Sequence, residues 1–142
     1  MLKIHIEPLS KDELKKLPQD VLVSLDPPFV DDRGFIQPLV DIPMKSAVII
    51  KSNNGTVRAN HYHQTDWHYC TVITGEIKYY WRDHGDTSSP ESIIVRSGQT
   101  FFTPPMVEHA LYFPINTEFI ALAKLTRKSK NYEKDTVRIN LI

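Results

Sequence analysis

Gly55-Thr56-Val57-Arg58-Ala59-Asn60-His61-Tyr62-His63 is followed by four residues, His68, six more and Gly75, and further on Gly98 leads by five residues to Pro104 and then to His109. Side chains on an extended strand alternate between two faces, so His61 and His63 share a face if residues 56–63 form a strand. His68 is in phase with Val72 and Thr74, and His109 with Leu111 and Phe113, which puts both on largely apolar, inward faces. Imidazole is a good ligand for transition metals, whereas an oxygen cage for calcium or magnesium needs carboxylates that this spacing lacks. The expectation is one divalent transition metal (iron, manganese, nickel or zinc) held by His61, His63, His68 and His109.

The rest of the chain reads as short strands cut by turns. Strand-like stretches fall at 2–6, 21–25, 35–41, 47–51, 57–63, 68–74, 76–82, 92–96, 100–103, 109–113, 119–124 and 136–141. Turn residues separate them: Asp32-Arg33-Gly34, Asn53-Asn54-Gly55, Thr74-Gly75, His84-Gly85-Asp86 and Ser97-Gly98. One helix is expected, Ser10 to Leu17, with Ser10 and Glu13 as a capping-box pair and Pro18 closing it. So many short strands in one chain predict an all-β double-sheet barrel or jelly roll with one short N-terminal helix. The polar run Asn131–Asp135 reads as a connection to the last strand or as lining of the barrel mouth.

The 142 residues make one domain, 1–142, large enough for a proper core. Equal acidic and basic counts leave no net charge, so no global field draws in nucleic acid or an anionic membrane. A single cysteine, Cys70, excludes an intrachain disulfide framework and suits a reducing cytoplasm; it reads as a small packing residue. No apolar run is long enough to span a membrane, and the N-terminal residues lack a signal-type apolar region, so a cytoplasmic location is expected.

The segments Gly55–Gly75 and Gly98–Phe113 resemble the two motifs of the cupin superfamily, G-x5-HxH-x4-E-x6-G and G-x5-PxG-x2-H-x3-N. The resemblance implies a cupin double-stranded β-helix. This chain departs from it at three places: His68 stands for the glutamate, Met106 for the second motif's glycine and Phe113 for its asparagine. Four neutral imidazoles would leave a divalent ion its full charge, which favours Lewis-acid chemistry on an oxygenated substrate. Cupin relatives often bury terminal strands in a two-fold dimer, and the apolar-rich terminal strands here favour a homodimer.

A second resemblance narrows the substrate. Asp32-Arg33-Gly34-Phe35 and Gly55 to Tyr62 are similar to the D-x-RG-F and G-x-x-R-G-x-H-Y segments of dTDP-4-dehydrorhamnose 3,5-epimerases and nucleotide-sugar 3,4-ketoisomerases. By that resemblance Arg58 binds phosphate, as a bidentate guanidinium can, and His61 is the general base. An imidazole bound to metal has no lone pair left for a proton, so a catalytic His61 requires that no metal be bound. With metal present the proton falls to a metal-bound hydroxide or to a tyrosine such as Tyr79, Tyr80 or Tyr112. Tyr80 is also a candidate for stacking on substrate, against ordinary strand packing. Arg58, of opposite parity to His61, faces inward only if the strand is bulged. Glu108 reads as solvated, and His5 and His84 are given no role. The expected activity is isomerisation or epimerisation of a sugar or nucleotide sugar; a mononuclear non-haem iron dioxygenase and a non-catalytic sugar-binding module are the alternatives.

Overall fold

Alternation of buried and exposed positions along the strands folds the chain into two facing antiparallel sheets. The computed structural model describes residues 10–142. His5 and the strand expected at 2–6 lie outside them, as does the side chain of Glu13 and with it the capping-box pair. Along the described residues run α1 (Lys11–Lys16), β1 (Phe29–Asp31), β2 (Gly34–Ile36), β3 (Ser46–Ser52), β4 (Val57–His63), β5 (His68–Thr74) and β6 (Glu76–Asp83). They are followed by β7 (Glu91–Arg96), β8 (Thr100–Thr103), β9 (Val107–Tyr112), β10 (Thr117–Ala123), α2 (Ser129–Asp135) and β11 (Thr136–Arg138). One sheet has the order β3-β10-β5-β8 and the other β11-β4-β9-β6-β7, with β1 and β2 forming a separate hairpin. This is the jelly-roll sandwich expected from the strand pattern.

Between the sheets lies the core: Cys70 and Val72 of β5, Ile77 and Tyr79 of β6, Phe101, Leu111, Phe113, Phe119 and Ala121 among others. Each large apolar side chain so buried contributes about 1.5–3 kcal/mol. A second cluster, Trp67, Tyr69 and Phe102, packs with Leu17, Val23, Val40 and Ile42. These residues have the opposite parity to His68, Cys70 and Phe101, so the N-terminal segment covers the outer face of the four-stranded sheet. No helix among the described residues is long and apolar enough to cross a membrane.

Several stretches differ from the expected pattern: residues 29–31 form a strand that was not expected, and the strand expected over 136–141 stops at Arg138. Residues 21–25 form only a bridge, Leu22 with Phe101, flanked by Val23 N–H to Thr100 O at 2.8 Å and Phe102 N–H to Val21 O at 2.8 Å. The strand expected over 35–41 stops at Ile36, because Pro38 has no amide for a ladder. The polar run Asn131–Asp135, read as a connection or as lining of the barrel mouth, belongs to a second helix, Ser129–Asp135.

The bulge in β4 sets the site. Arg58 pairs with Leu111 and Ala59 with Ala110, but His61 pairs with His109, leaving Asn60 as the extra residue. Ala59 and Asn60 both have positive φ, 69° and 52°. The extra residue reverses the parity of the strand, so Arg58 and His61 come to the same face. Asn60 then clasps the C-terminal segment: its Oδ1 accepts the amides of Leu141 and Ile142 at 3.2 Å each, and its carbonyl accepts Ile139 N–H at 2.9 Å.

Candidate active site

Strands β4 and β9 bring His61, His63 and His109 together inside the barrel. Ring centroids stand 4.6 Å apart for His61 and His63, 4.7 Å for His61 and His109, and 5.5 Å for His63 and His109. Each offers one nitrogen such that all three atoms lie within 4.8 Å of one another. All three side chains are buried.

Hydrogen bonds fix which nitrogen is free. His109 Nδ1 donates to the Val107 carbonyl at 2.9 Å, which leaves the lone pair on Nε2. Thr136 Oγ1 gives its proton to the Tyr132 carbonyl at 2.6 Å, so toward His63 Nδ1, 3.3 Å away, it is an acceptor; His63 is then protonated on Nδ1 with its lone pair on Nε2. That Nε2, together with His61 Nδ1, is buried with no hydrogen-bond partner among the described residues. Buried nitrogens without partners are costly, and a metal ligand whose other nitrogen binds a carbonyl or hydroxyl is the arrangement that uses them. The donor set therefore fits a transition metal.

Burial is also the main reason these rings stay neutral. Desolvation, reinforced by the neighbouring histidines, pulls His61 down to about 2, and desolvation pulls His109 down to about 4 against the opposing bond to Val107. His63 is driven lower still by the same causes.

His68 is close by, its ring 4.5 Å from that of His63, but its Nε2 lies 2.8 Å from Asp66 Oδ2. The four imidazoles expected to form one donor set divide instead into two overlapping groups, His61, His63, His109 and His63, Asp66, His68. The loop before β5 lets Asp66 turn back on His68. Asp66 Oδ1 is held by the amides of Trp67 at 2.9 Å and Leu125 at 3.0 Å. Asp135, at the end of α2, accepts Thr65 N–H at 2.8 Å, Thr65 Oγ1 at 2.9 Å and Asp66 N–H at 2.9 Å, tying the helix to the same loop.

A cavity of about 320 Å³ opens beside the histidines, lined by His61, His68, His109 and Arg58, and by Arg127, Tyr132 and Arg138. Arg58 donates to Ser52 Oγ at 2.7 Å and to the Lys51 carbonyl at 3.1 Å. The ring of Tyr132 stands 6.2 Å from that of His61 and 5.6 Å from that of His63, and burial raises its hydroxyl above the usual range.

The other tyrosines lie elsewhere. Tyr79 points inward, but its hydroxyl is bonded to Thr103 Oγ1 at 2.6 Å in the core. Tyr80 pairs with Ala110, on the face opposite His109, and carries Lys78 Nζ 5.1 Å above its ring; it does not line the cavity. Tyr112 is likewise of outward parity, paired with Val57 and Lys78. Glu108 is buried rather than solvated, because Arg82 at 2.7 Å and His84 at 2.9 Å bind its two oxygens on the outer face of the sheet. Asp66, Tyr132, Arg127 and Arg138 carry no motif in the sequence; only the polar run Asn131–Asp135, which holds Tyr132, reads as a connection or as lining of the barrel mouth.

A two-sheet barrel with its histidines turned inward is a cupin-like fold. No protein-family model and no curated protein matches the chain. Solved structures do match. The QdtA 3,4-ketoisomerase from Thermoanaerobacterium thermosaccharolyticum, a double mutant in complex with TDP, is 20% identical at a TM-score of 0.66, over 82% of this chain and 85% of that one. A 3,4-ketoisomerase from Helicobacter canadensis superposes with a TM-score of 0.68 at 17% identity, over 82% and 88%. The epimerase RmlC from Legionella pneumophila Philadelphia 1, in complex with dTDP-4-keto-L-rhamnose, gives 0.64 at 16% identity, over 82% and 70%. The fold is the one these ketoisomerases and epimerases share.

Proposed function

We propose that this protein is an isomerase or epimerase of a nucleotide sugar and holds one divalent transition metal on His61, His63 and His109. The observation that carries the reading is the meeting of three neutral histidines bearing two unpartnered buried nitrogens, beside a cavity that His61 and His109 line together with a fourth histidine, His68, backed by a buried carboxylate. The metal, when bound, supplies Lewis-acid polarisation of a substrate carbonyl, which makes the adjacent C–H acidic. His68 takes that proton. Asp66 accepts its Nε2–H, fixes the tautomer and leaves the lone pair on Nδ1. Tyr132, also on the cavity wall, returns a proton to the substrate. In this reading His61 is a ligand and not the base.

The neighbouring structures support the substrate class, since two of them hold TDP or dTDP-4-keto-L-rhamnose. A two-fold dimer belongs to the proposal: Phe29, Val30, Phe35 and Ile36 of the β1–β2 hairpin are 60–72% exposed, an apolar surface that a second copy would cover, and light scattering reads the mass.

The test of the reaction is incubation with dTDP-4-keto-6-deoxyglucose in D2O, followed by NMR. Deuterium should enter at a carbon beside the carbonyl, and a chelator should stop it. A substrate recovered without deuterium or rearrangement, from protein shown to carry metal, rejects the assignment. Imidazole is a ligand for iron as well, so a mononuclear iron dioxygenase is the second reading; oxygen uptake without solvent exchange would favour that alternative.

A further inference from the structure

Asp135 is a buried acid that pairs with no lysine or arginine among the described residues. The basic group that does approach it is His63 Nδ1, 3.7 Å from its Oδ2. A carboxylate taken out of water persists only where donors surround it. Here the donors come from one short stretch, the loop between β4 and β5. Thr65 N–H and Thr65 Oγ1 bind Oδ1 at 2.8 and 2.9 Å, and Asp66 N–H binds Oδ2 at 2.9 Å. The backbone adds to the grip, since the Asp135 carbonyl accepts Gln64 N–H at 2.9 Å and the Lys134 carbonyl accepts Gln64 Nε2 at 3.2 Å. Residues 64–66 are thus held by the end of α2.

Two groups of the site depend on that one carboxylate. Asp66, whose amide it fixes, points its own Oδ2 at His68 Nε2, 2.8 Å away. On the other side Asp135 Oδ2 faces the Nδ1–H edge of His63, whose Nε2 is the unpartnered nitrogen of the three-histidine group. The separation of 3.7 Å is too long for a hydrogen bond, which Thr136 Oγ1 supplies at 3.3 Å, but a buried charge acts over that range. A negative charge beside Nδ1–H favours that tautomer, keeps the lone pair on Nε2 and makes the ring a stronger donor to a metal.

We infer that Asp135 is the positioning residue of this site: its carboxylate orients a metal ligand, His63, and, through the amide of Asp66, the base, His68. It acts through these side chains and not on the substrate. The inference rests on the roles proposed above for His63 and His68. Tyr132 stands on the same helix and Thr136 follows it, so the segment that ends in Asp135 sets the ligand, the base and the proton donor together.

Asp135→Asn in the full chain tests it, because the substitution keeps the shape, removes the charge and turns one acceptor into a donor facing N–H groups. Competition against a zinc-chelating dye should show zinc affinity reduced about 10- to 100-fold. Two-bond nitrogen–proton NMR spectra of the metal-free wild type should show His63 protonated on Nδ1 and His68 on Nε2, and the variant should show tautomer mixtures at both rings. At saturating zinc, kcat for solvent exchange on dTDP-4-keto-6-deoxyglucose should fall about tenfold or more with KM nearly unchanged. Thr65→Val removes one donor and leaves the charge, and it serves if Asp135→Asn does not fold. It should mix the His68 tautomers and lower kcat a few-fold, with zinc affinity unchanged. An Asp135→Asn protein that melts earlier but keeps wild-type tautomers and zinc affinity gives Asp135 a purely structural role and overturns the inference. So does a Thr65→Val protein, standing in for it, with unaltered His68 tautomers and kcat. Loss of tautomers and zinc affinity in the variant, beside a wild type that catalyses no exchange, would keep the positioning role and reject the isomerase; exchange by the wild type and the variant alike would do the reverse.

Discussion

His68 Nε2 and Asp66 Oδ2 stand 2.8 Å apart with both side chains buried, and this contact separates His68 from the three histidines that converge beside it. An imidazole whose Nε2–H is held by a carboxylate is set up as a base, while rings bonded to a carbonyl or hydroxyl through Nδ1 are set up as ligands. His68→Ala should therefore retain metal by elemental analysis yet lose about 10²–10⁴-fold in turnover. His63→Ala or His109→Ala should purify without metal. Loss of metal from His68→Ala to the same extent would return it to the ligand set.

Acid should destabilise the metal-free protein in a defined window. His109 is held down to about 4 and His61 to about 2, both by burial first, against an ordinary value of 6.5. The unfolded chain gains protons below 6.5 that the folded chain refuses, so stability falls as pH drops from 6.5 toward 4 and is regained as pH rises. Each such histidine contributes a slope of up to about 1.4 kcal/mol per pH unit in that range. Urea unfolding of chelator-treated protein at pH 7, 6 and 5 measures it, and a flat profile would show that the rings protonate in the folded state.

Much of this site was readable before the fold. The alternation that reads β4, β5 and β8 with their observed bounds also puts His61 and His63 on one face. The partners were not readable for a physical reason. Asp66 meets Leu125 and Asp135 meets Thr65 across 59 and 70 residues, through loops that have no periodic pattern. The inward turn of Arg58 depends on a bulge that glycine would have announced, but alanine and asparagine occupy it. Helix α2 was missed because 129–135 is polar and has no apolar stripe. Tyr132, its inward residue, was missed with it.

Two residues adopt a glycine's conformation without being glycine, at the positions where the family motifs carry one. Ala59 has φ 69° and Met106 φ 61°. A left-handed backbone costs a residue with a β-carbon about 1–2 kcal/mol, partly offset by the greater freedom of glycine in the unfolded chain. Ala59→Gly and Met106→Gly should each stabilise the fold by about 0.5–1 kcal/mol in urea titrations. The Met106 side chain is 44% exposed, so little packing is lost with it. A drop in stability at Met106 would mean that its side chain holds the turn whose amide donates to the His63 carbonyl at 2.7 Å.

Gly75 is the opposite case. Its φ is +97°, and a β-carbon there would press on Thr117 Oγ1 and come within 2.6 Å of the Asn116 carbonyl oxygen and 2.8 Å of Thr117 Cα. Two of those three atoms are backbone, so neither can swing aside. Thr117 Oγ1 also accepts Glu76 N–H at 3.1 Å, so any shift of it loosens the junction of β5, β6 and β10 that seats Phe119 in the core. Gly75→Ala should cost about 3 kcal/mol or more, combining backbone strain with overpacking. Gly55→Ala is the control, since its φ is also positive, +80°, but open space surrounds the added carbon. There only the backbone term of about 1–2 kcal/mol should appear. Equal losses at the two sites would mean that the β5–β6 turn yields without disturbing Thr117, and that the close approach carries no stability of its own.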